Sequence, residues 1–241
     1  MLKNIVIIAF VCTLFLSCED REWHLHKVHG TTLAVDSNLT ANQDISALIA
    51  PYKVQLDIIM DEVLCYSKTS VKHSRPESPL GNFVADLSFS TLTKNGLKLD
   101  MCLLNHYGLR AELIKGNITR RNAYQLMPFE NELVVITMDS KAMQEMFAYL
   151  KNSEGHPIAN AQLKFSNQKD HIIIDDQAWD EKKAYRVLTT DYLAKGGDNM
   201  TFFKEGKMKR TGIKLRDAII TFMTAQDTIR TKVDGRFSII D

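Results

Sequence analysis

Thr189-Thr190-Asp191-Tyr192-Leu193-Ala194-Lys195-Gly196-Gly197-Asp198-Asn199-Met200-Thr201-Phe202-Phe203 is the stretch around which the chain is organised. It follows Ala184–Leu188, a run of β-branched and aromatic residues that reads as a strand arriving from the core. Paired glycines after a strand mark backbone that takes positive φ or passes close to something else. Gly196 and Gly197 lie between Tyr192, an aromatic able to face a flat ring, and Asp198, a carboxylate able to accept from two hydroxyls. Two readings follow: a ligand-facing turn at a strand end, or a tight surface turn with Tyr192 folded back on the core.

Working outward, the chain reads as alternating helices and strands. Asn42–Lys72 carries a long helical pattern in which Val54, Leu56, Ile58, Ile59 and Val63 are expected on a core helix. Ser78 caps a second helix with Pro79 at its first position, and Leu80, Phe83, Val84 and Leu87 form its core face until Asn95-Gly96 stops it. Leu97–Leu104 is a buried run of strand length that delivers Asn105–Arg110 at its C-terminal end, the edge where α/β proteins place ligands. Thr119 caps a short helix ending before Pro128, and Glu132–Met138 reads as the next strand. Asp139-Ser140 starts a helix with Met143, Met146, Phe147 and Leu150 as its core stripe. Ala161–Phe165 and His171–Ile174 form a strand pair, Lys214–Met223 is helical, and Asp234-Gly235 is a turn. The expected fold is α+β, a single domain over 19–241 with a mixed β-sheet flanked by helices.

Four segments, whose order along the chain agrees with the pattern, resemble one family. Tyr192–Asp198 is similar to the FLANGGDG signature of the C-terminal domain of the 5'-nucleotidase / UDP-sugar hydrolase family. Glu77–Asn82 with Ala85-Asp86 resembles its ESPLGNLVAD helix start, Asn105–Arg110 its NGGGIR turn, and Pro128-Phe129 its PFGN turn. The resemblance runs from about Val28 to Ile240. It implies that Phe129 and Tyr192 stack on the two faces of a nucleobase, that Asp198 accepts from the ribose hydroxyls, and that Asn105 and Arg110 touch base and sugar-phosphate. Arginine suits phosphate because its planar fork gives paired contacts. Three residues depart from the pattern. His106 and Tyr107 replace glycines, which either keeps the backbone back from a ligand or adds an aromatic wall at Tyr107. Glu130 replaces a glycine and sets a negative charge where a phosphate would pass.

The resemblance also places the family's metal centre in a separate N-terminal metallophosphoesterase domain with D-x-H, G-N-H-[DE] and H-x-H motifs. His24-Leu25-His26 is the sole H-x-H here, on a β-prone run, Glu22–Val35, that also holds His29. Alternation puts His24 and His26 on one strand face and His29 on the other, and a solvated strand is the competing reading. The expectation is therefore no metal, cofactor or catalytic residue in this chain. Divalent metal would belong to a metallophosphoesterase partner, this chain serving as the nucleoside- or nucleotide-recognition half. A stand-alone envelope nucleoside-binding protein is the alternative, and a structural protein with a disused cleft the third.

Residues 1–18 read as an export leader. Lys3 precedes the apolar Ile5–Leu16, and Leu14-Phe15-Leu16-Ser17-Cys18 resembles a bacterial lipobox that lipidates Cys18 and anchors an exported lipoprotein to the cell envelope; an ordinary secretory signal is the alternative. Lys+Arg 30 against Asp+Glu 29, with no basic stretch interleaved with aromatics, gives no nucleic-acid surface. Cys65 and Cys102, both flanked by apolar residues, are expected as buried free thiols.

Overall fold

The computed structural model describes residues 27–240, and the chain divides between Leu48 and Ile49 into two units. Residues 27–42 hold only a turn near 37–39, so the strand expected over Glu22–Val35 is absent from the described part of it. His29 is exposed there; His24, His26, the 1–18 leader and Cys18 lie outside the described residues. Helix α1 (Gln43–Met60) begins where the Asn42 side chain accepts from the Ile45 N–H. Unlike the expected core helix, it buries none of its residues and stops at Met60, and Val63 opens strand β1 (Val63–Ser67) instead. Helical periodicity says that a helix has an apolar face, not that anything covers it.

In the second unit a five-stranded mixed sheet is central, in the order β10-β4-β9-β2-β5. It is built from β2 (Met101–Leu103), β4 (Glu132–Met138), β5 (Ile158–Ala159), β9 (Tyr185–Thr190) and β10 (Lys207–Lys214). The expected strand Leu97–Leu104 contracts to three residues. Strand β4 is buried on both faces, as a central strand must be. Its Leu133 and Val135 join one core, with helices α2 (Pro79–Lys94), α3 (Arg120–Leu126) and α6 (Leu215–Thr224). Its Val134, Ile136 and Met138 join the other, with α4 (Ser140–Lys151), the short α5 (Asp191–Ala194) and the four-stranded sheet β12-β6-β7-β8. That second sheet contains β6 (Ala161–Ser166), β7 (His171–Ile174), β8 (Gln177–Ala178) and β12 (Phe237–Ile240). A third, β11-β1-β3, adds β3 (Gly116–Thr119) and β11 (Thr228–Ile229). The strands thus share three sheets rather than one, while the α+β class stands.

The helix starts are as the sequence indicates. Ser78 accepts from the Gly81 N–H ahead of Pro79, Thr119 and Asn122 form a reciprocal capping box, and Asp139 accepts from the Ala142 N–H. Cys65 and Cys102 are buried and unbridged; burial pushes the Cys65 thiol up to about 11 and Cys102 higher still.

Strand directions decide where ligand-facing segments gather. β2 and β9 run parallel, so their C-terminal ends share an edge. β4 is antiparallel to β9, with Leu133 opposite Thr190, which brings the start of β4 to that same edge. β5 is antiparallel to β2, and the Leu104 N–H donates to the Pro157 carbonyl, so the approach to β5 joins them.

Candidate functional site

At this edge Asn105, Tyr107, Gly108, Arg110, Phe129, Asn131, Tyr192 and Asp198 line one cleft of about 230 Å³. All five residues expected to contact a ligand are among them, drawn from three separate segments. Asn131 and Tyr107 add to the set; Asn131 was assigned no role from sequence, and Tyr107 was the open alternative of an aromatic wall.

Asp198 is the most constrained residue. Its backbone is left-handed (φ 50, ψ 31), between Gly196 at φ 90 and Asn199 at φ 60. This turn aims the carboxylate at two donors: Asn105 Nδ2 reaches Oδ2 at 2.7 Å and the Tyr192 hydroxyl reaches Oδ1 at 2.8 Å. The Tyr192 oxygen accepts in return from the Asp198 N–H at 3.3 Å, and the Tyr149 hydroxyl donates to the Asp198 carbonyl at 2.8 Å. The hydrogen bond to the carboxylate raises the Tyr192 phenol pKa. Tyr149, on α4 and distant in sequence, was missed because nothing local marks it.

Two glycines permit this arrangement by having no side chain. A Cβ on Gly197 would lie 2.4 Å from Tyr192 Cε1, so the ring crosses the backbone there. A Cβ on Gly108 would lie 2.6 Å from Asn105 Oδ1, against which the carboxamide packs. Gly196 supplies positive φ instead.

Phe129 and Tyr192 are 41% and 44% exposed, which removes the reading of either as a core residue. Arg110 is exposed on the cleft, and its N–H donates to the Leu126 carbonyl, tying this turn to the end of α3. Among the described residues its guanidinium has no carboxylate within ion-pair distance.

The departures from the family pattern resolve separately. Tyr107 is an aromatic wall of the cleft, with the Arg75 guanidinium 4.9 Å from its ring centroid. His106 turns its ring away and stacks on His73 at 3.7 Å between centroids, while its backbone N–H donates to His156 Nδ1 at 3.3 Å. Glu130 does not confront the cleft as a bare charge, because Lys214 and Arg216 both pair with it.

His73, His106 and His156 do not converge on a point a metal could occupy, since two of the rings stack face to face. Among the described residues no group of three or more His, Cys, Asp or Glu is placed to hold one. Burial first, followed by the neighbouring His73 for His106 and by the Arg75 charge for His156, pushes both down to about 4, and burial with the Arg75 charge lowers His73 from its ordinary 6.5. An unfolded chain binds these protons more readily, so stability is full above about pH 6.5 and is lost as pH falls towards 4. Urea titrations between pH 7 and pH 4 should show that decline, and His156→Gln should flatten it; a wild-type profile level down to pH 4.5 would contradict the neutral cluster.

Comparison with known proteins bears on the family and the fold. Residues 60–205 match the family model described as 5'-nucleotidase, C-terminal domain. The trifunctional nucleotide phosphoesterase protein YfkN of Bacillus subtilis is 25% identical over 201 residues, covering 74% of this chain and 14% of that protein. The NAD 5'-nucleotidase of Haemophilus influenzae is 24% identical over 186 residues, covering 65% and 31%. The crystal structure of the 5'-nucleotidase precursor from Thermus thermophilus superposes with a TM-score of 0.70 at 22% identity, over 82% of this chain and 43% of that one. The chain therefore spans less than a third of these two curated relatives and under half of that solved structure. With the motifs in order, the fold matched and more than half of its residues within the family model, this chain belongs to the 5'-nucleotidase C-terminal domain family.

Proposed function

We propose that this protein is the recognition half of a nucleotide-hydrolysing system in nucleotide catabolism, binding a nucleoside or nucleotide in the cleft at the sheet edge. The base lies between Phe129 and Tyr192, the ribose hydroxyls donate to Asp198, and Asn105 and Arg110 contact the base and the sugar-phosphate. What carries this reading is the single cleft of about 230 Å³ that collects all five residues. A carboxylate has about four acceptor sites, and Asn105 and Tyr192 use two of those on Asp198, which leaves capacity for a vicinal diol. Arg110 supplies the positive charge a phosphate requires.

The described residues offer no donor set for a metal, so no hydrolytic step is derived from them. Metal-activated water, the main device of phosphoester hydrolysis in such systems, is assigned in this proposal to a metallophosphoesterase domain carried by a partner chain. Export and a lipid anchor on Cys18 belong to the same proposal, supported by the apolar run that ends at Leu16, two residues before Cys18.

Calorimetry with adenosine, uridine and their 5'-phosphates should detect binding to the wild type. Phe129→Ala and Tyr192→Ala should each weaken it by about 1–3 kcal/mol. Asp198→Asn should penalise ribonucleosides more than 2'-deoxyribonucleosides; no heat with any ligand on folded wild type would remove the proposal's support. The purified chain alone should release no phosphate from nucleoside monophosphates, and turnover that rises with Mn²⁺ or Zn²⁺ and survives repurification would refute the division of labour. Labelled fatty acid should be incorporated by the wild type and not by Cys18→Ser; equal labelling of both would overturn the anchor.

A further inference from the structure

Phe129 is a wall of the cleft, yet at 41% exposure its own burial does not hold it in place. Nor does regular backbone, since residues 127–131 lie between the end of α3 and the start of β4 in neither helix nor strand. The segment is held by three consecutive residues at the start of α6. Arg216 Nη1 donates to the carbonyls of Met127, Pro128 and Phe129 at 3.3, 3.1 and 3.3 Å. Its Nη2 pairs with the Glu130 carboxylate, which Lys214 also pairs. The Leu215 N–H donates to the Asn131 carbonyl at 2.9 Å. Every residue from 127 to 131 is thus gripped from one place.

Arg216 is suited to the centre of this grip. It is 5% exposed, and its guanidinium lies 4.2 Å from the Tyr124 ring centroid. A planar fork can serve a carbonyl cluster along one edge and a carboxylate along another while its face rests on an aromatic ring; an ammonium cannot. Buried charge is retained where it is paired and hydrogen-bonded, and both Nη groups of Arg216 meet those conditions through the very turn it holds, while its buried Nε has no partner among the described residues. Residue 216 also lies beyond the residues 60–205 that match the family model.

We propose that Arg216 is the positioning residue of the aromatic wall: by holding the carbonyls of 127–129 and the Glu130 carboxylate together, it sets where the Phe129 ring stands in the cleft. What that ring contacts rests on the nucleoside reading above, but where it stands is measurable without ligand. The same grip explains how a glutamate is accommodated beside the wall, since its charge completes the clamp.

The test places 4-fluorophenylalanine at position 129 of the full chain and records its fluorine resonance without ligand, in the wild type, Arg216→Met and Arg216→Lys. One well-dispersed line is expected in the wild type, moving towards the free amino-acid position in both variants. In parallel, adenosine affinity should fall about tenfold in Arg216→Met, as in Phe129→Ala, and Arg216→Met should add almost nothing in a Phe129→Ala background. A 129 resonance unchanged in either folded variant would overturn the assignment, as would a full additional loss of affinity in the double variant. If Arg216→Met fails to fold, Arg216→Lys decides, because it keeps the charge and removes only the fork. A resonance that moves while wild-type protein ignores adenosine would uphold the clamp and reject the nucleoside reading.

Discussion

The cleft depends on the hydrogen-bonded carboxylate of Asp198. Left-handed backbone at Asp198 and Asn199 costs up to about 1–2 kcal/mol per residue, somewhat less for Asp and Asn than for other side chains. Hydrogen bonds to a charged group contribute about 1.5–3 kcal/mol each, and Asp198 accepts two, from Asn105 and Tyr192. The balance favours the strained turn. It also couples three parts of the chain: the end of β2, the turn after β9 and, through Tyr149, helix α4. Removing the carboxylate would release Asn105 and the Tyr192 hydroxyl, while the Tyr149 bond to the backbone carbonyl would remain, so local order and the proposed recognition share one group.

Strand direction explains why these parts meet. Parallel pairing of β2 with β9 and antiparallel pairing of β4 with β9 place two strand ends and one strand start at a single edge. Each contributes a different chemistry: a carboxamide and a guanidinium after β2, an aromatic before β4, an aromatic and a carboxylate after β9. The electrostatics then separate into layers. Glu130 is answered by Lys214 and Arg216, and the three histidines behind Tyr107 are held neutral by burial. On the cleft wall this leaves Asp198 and Arg110 as the two charges, one suited to hydroxyls and one to phosphate.

Much of this was legible in sequence. Caps at Ser78, Thr119 and Asp139 are local chemistry, and the core stripe Met143, Met146, Phe147 and Leu150 is local periodicity, so both were found. The cleft residues were found through ordered motifs, each of which sits where a strand or helix ends. What failed was long-range. The apolar residues of α1 have helical spacing, and spacing does not say whether another element covers them. The division of the strands among three sheets depends on pairings such as β12 with β6, which join residues far apart in sequence. Tyr149 and Arg216 act on the cleft from other elements, and no local signal marks either. Tyr107 was left open between two roles, and the turn of His106 into the His73 stack decides it.

The central claim is that one carboxylate and two half-exposed aromatics form a nucleoside site. A crystal structure of the chain soaked with adenosine 5'-monophosphate tests it most directly. The account predicts the adenine between Phe129 and Tyr192, both ribose hydroxyls within hydrogen-bond distance of Asp198, and the phosphate towards Arg110. A cleft without ligand at saturating concentration, or adenine bound elsewhere with Asp198 untouched, would contradict it.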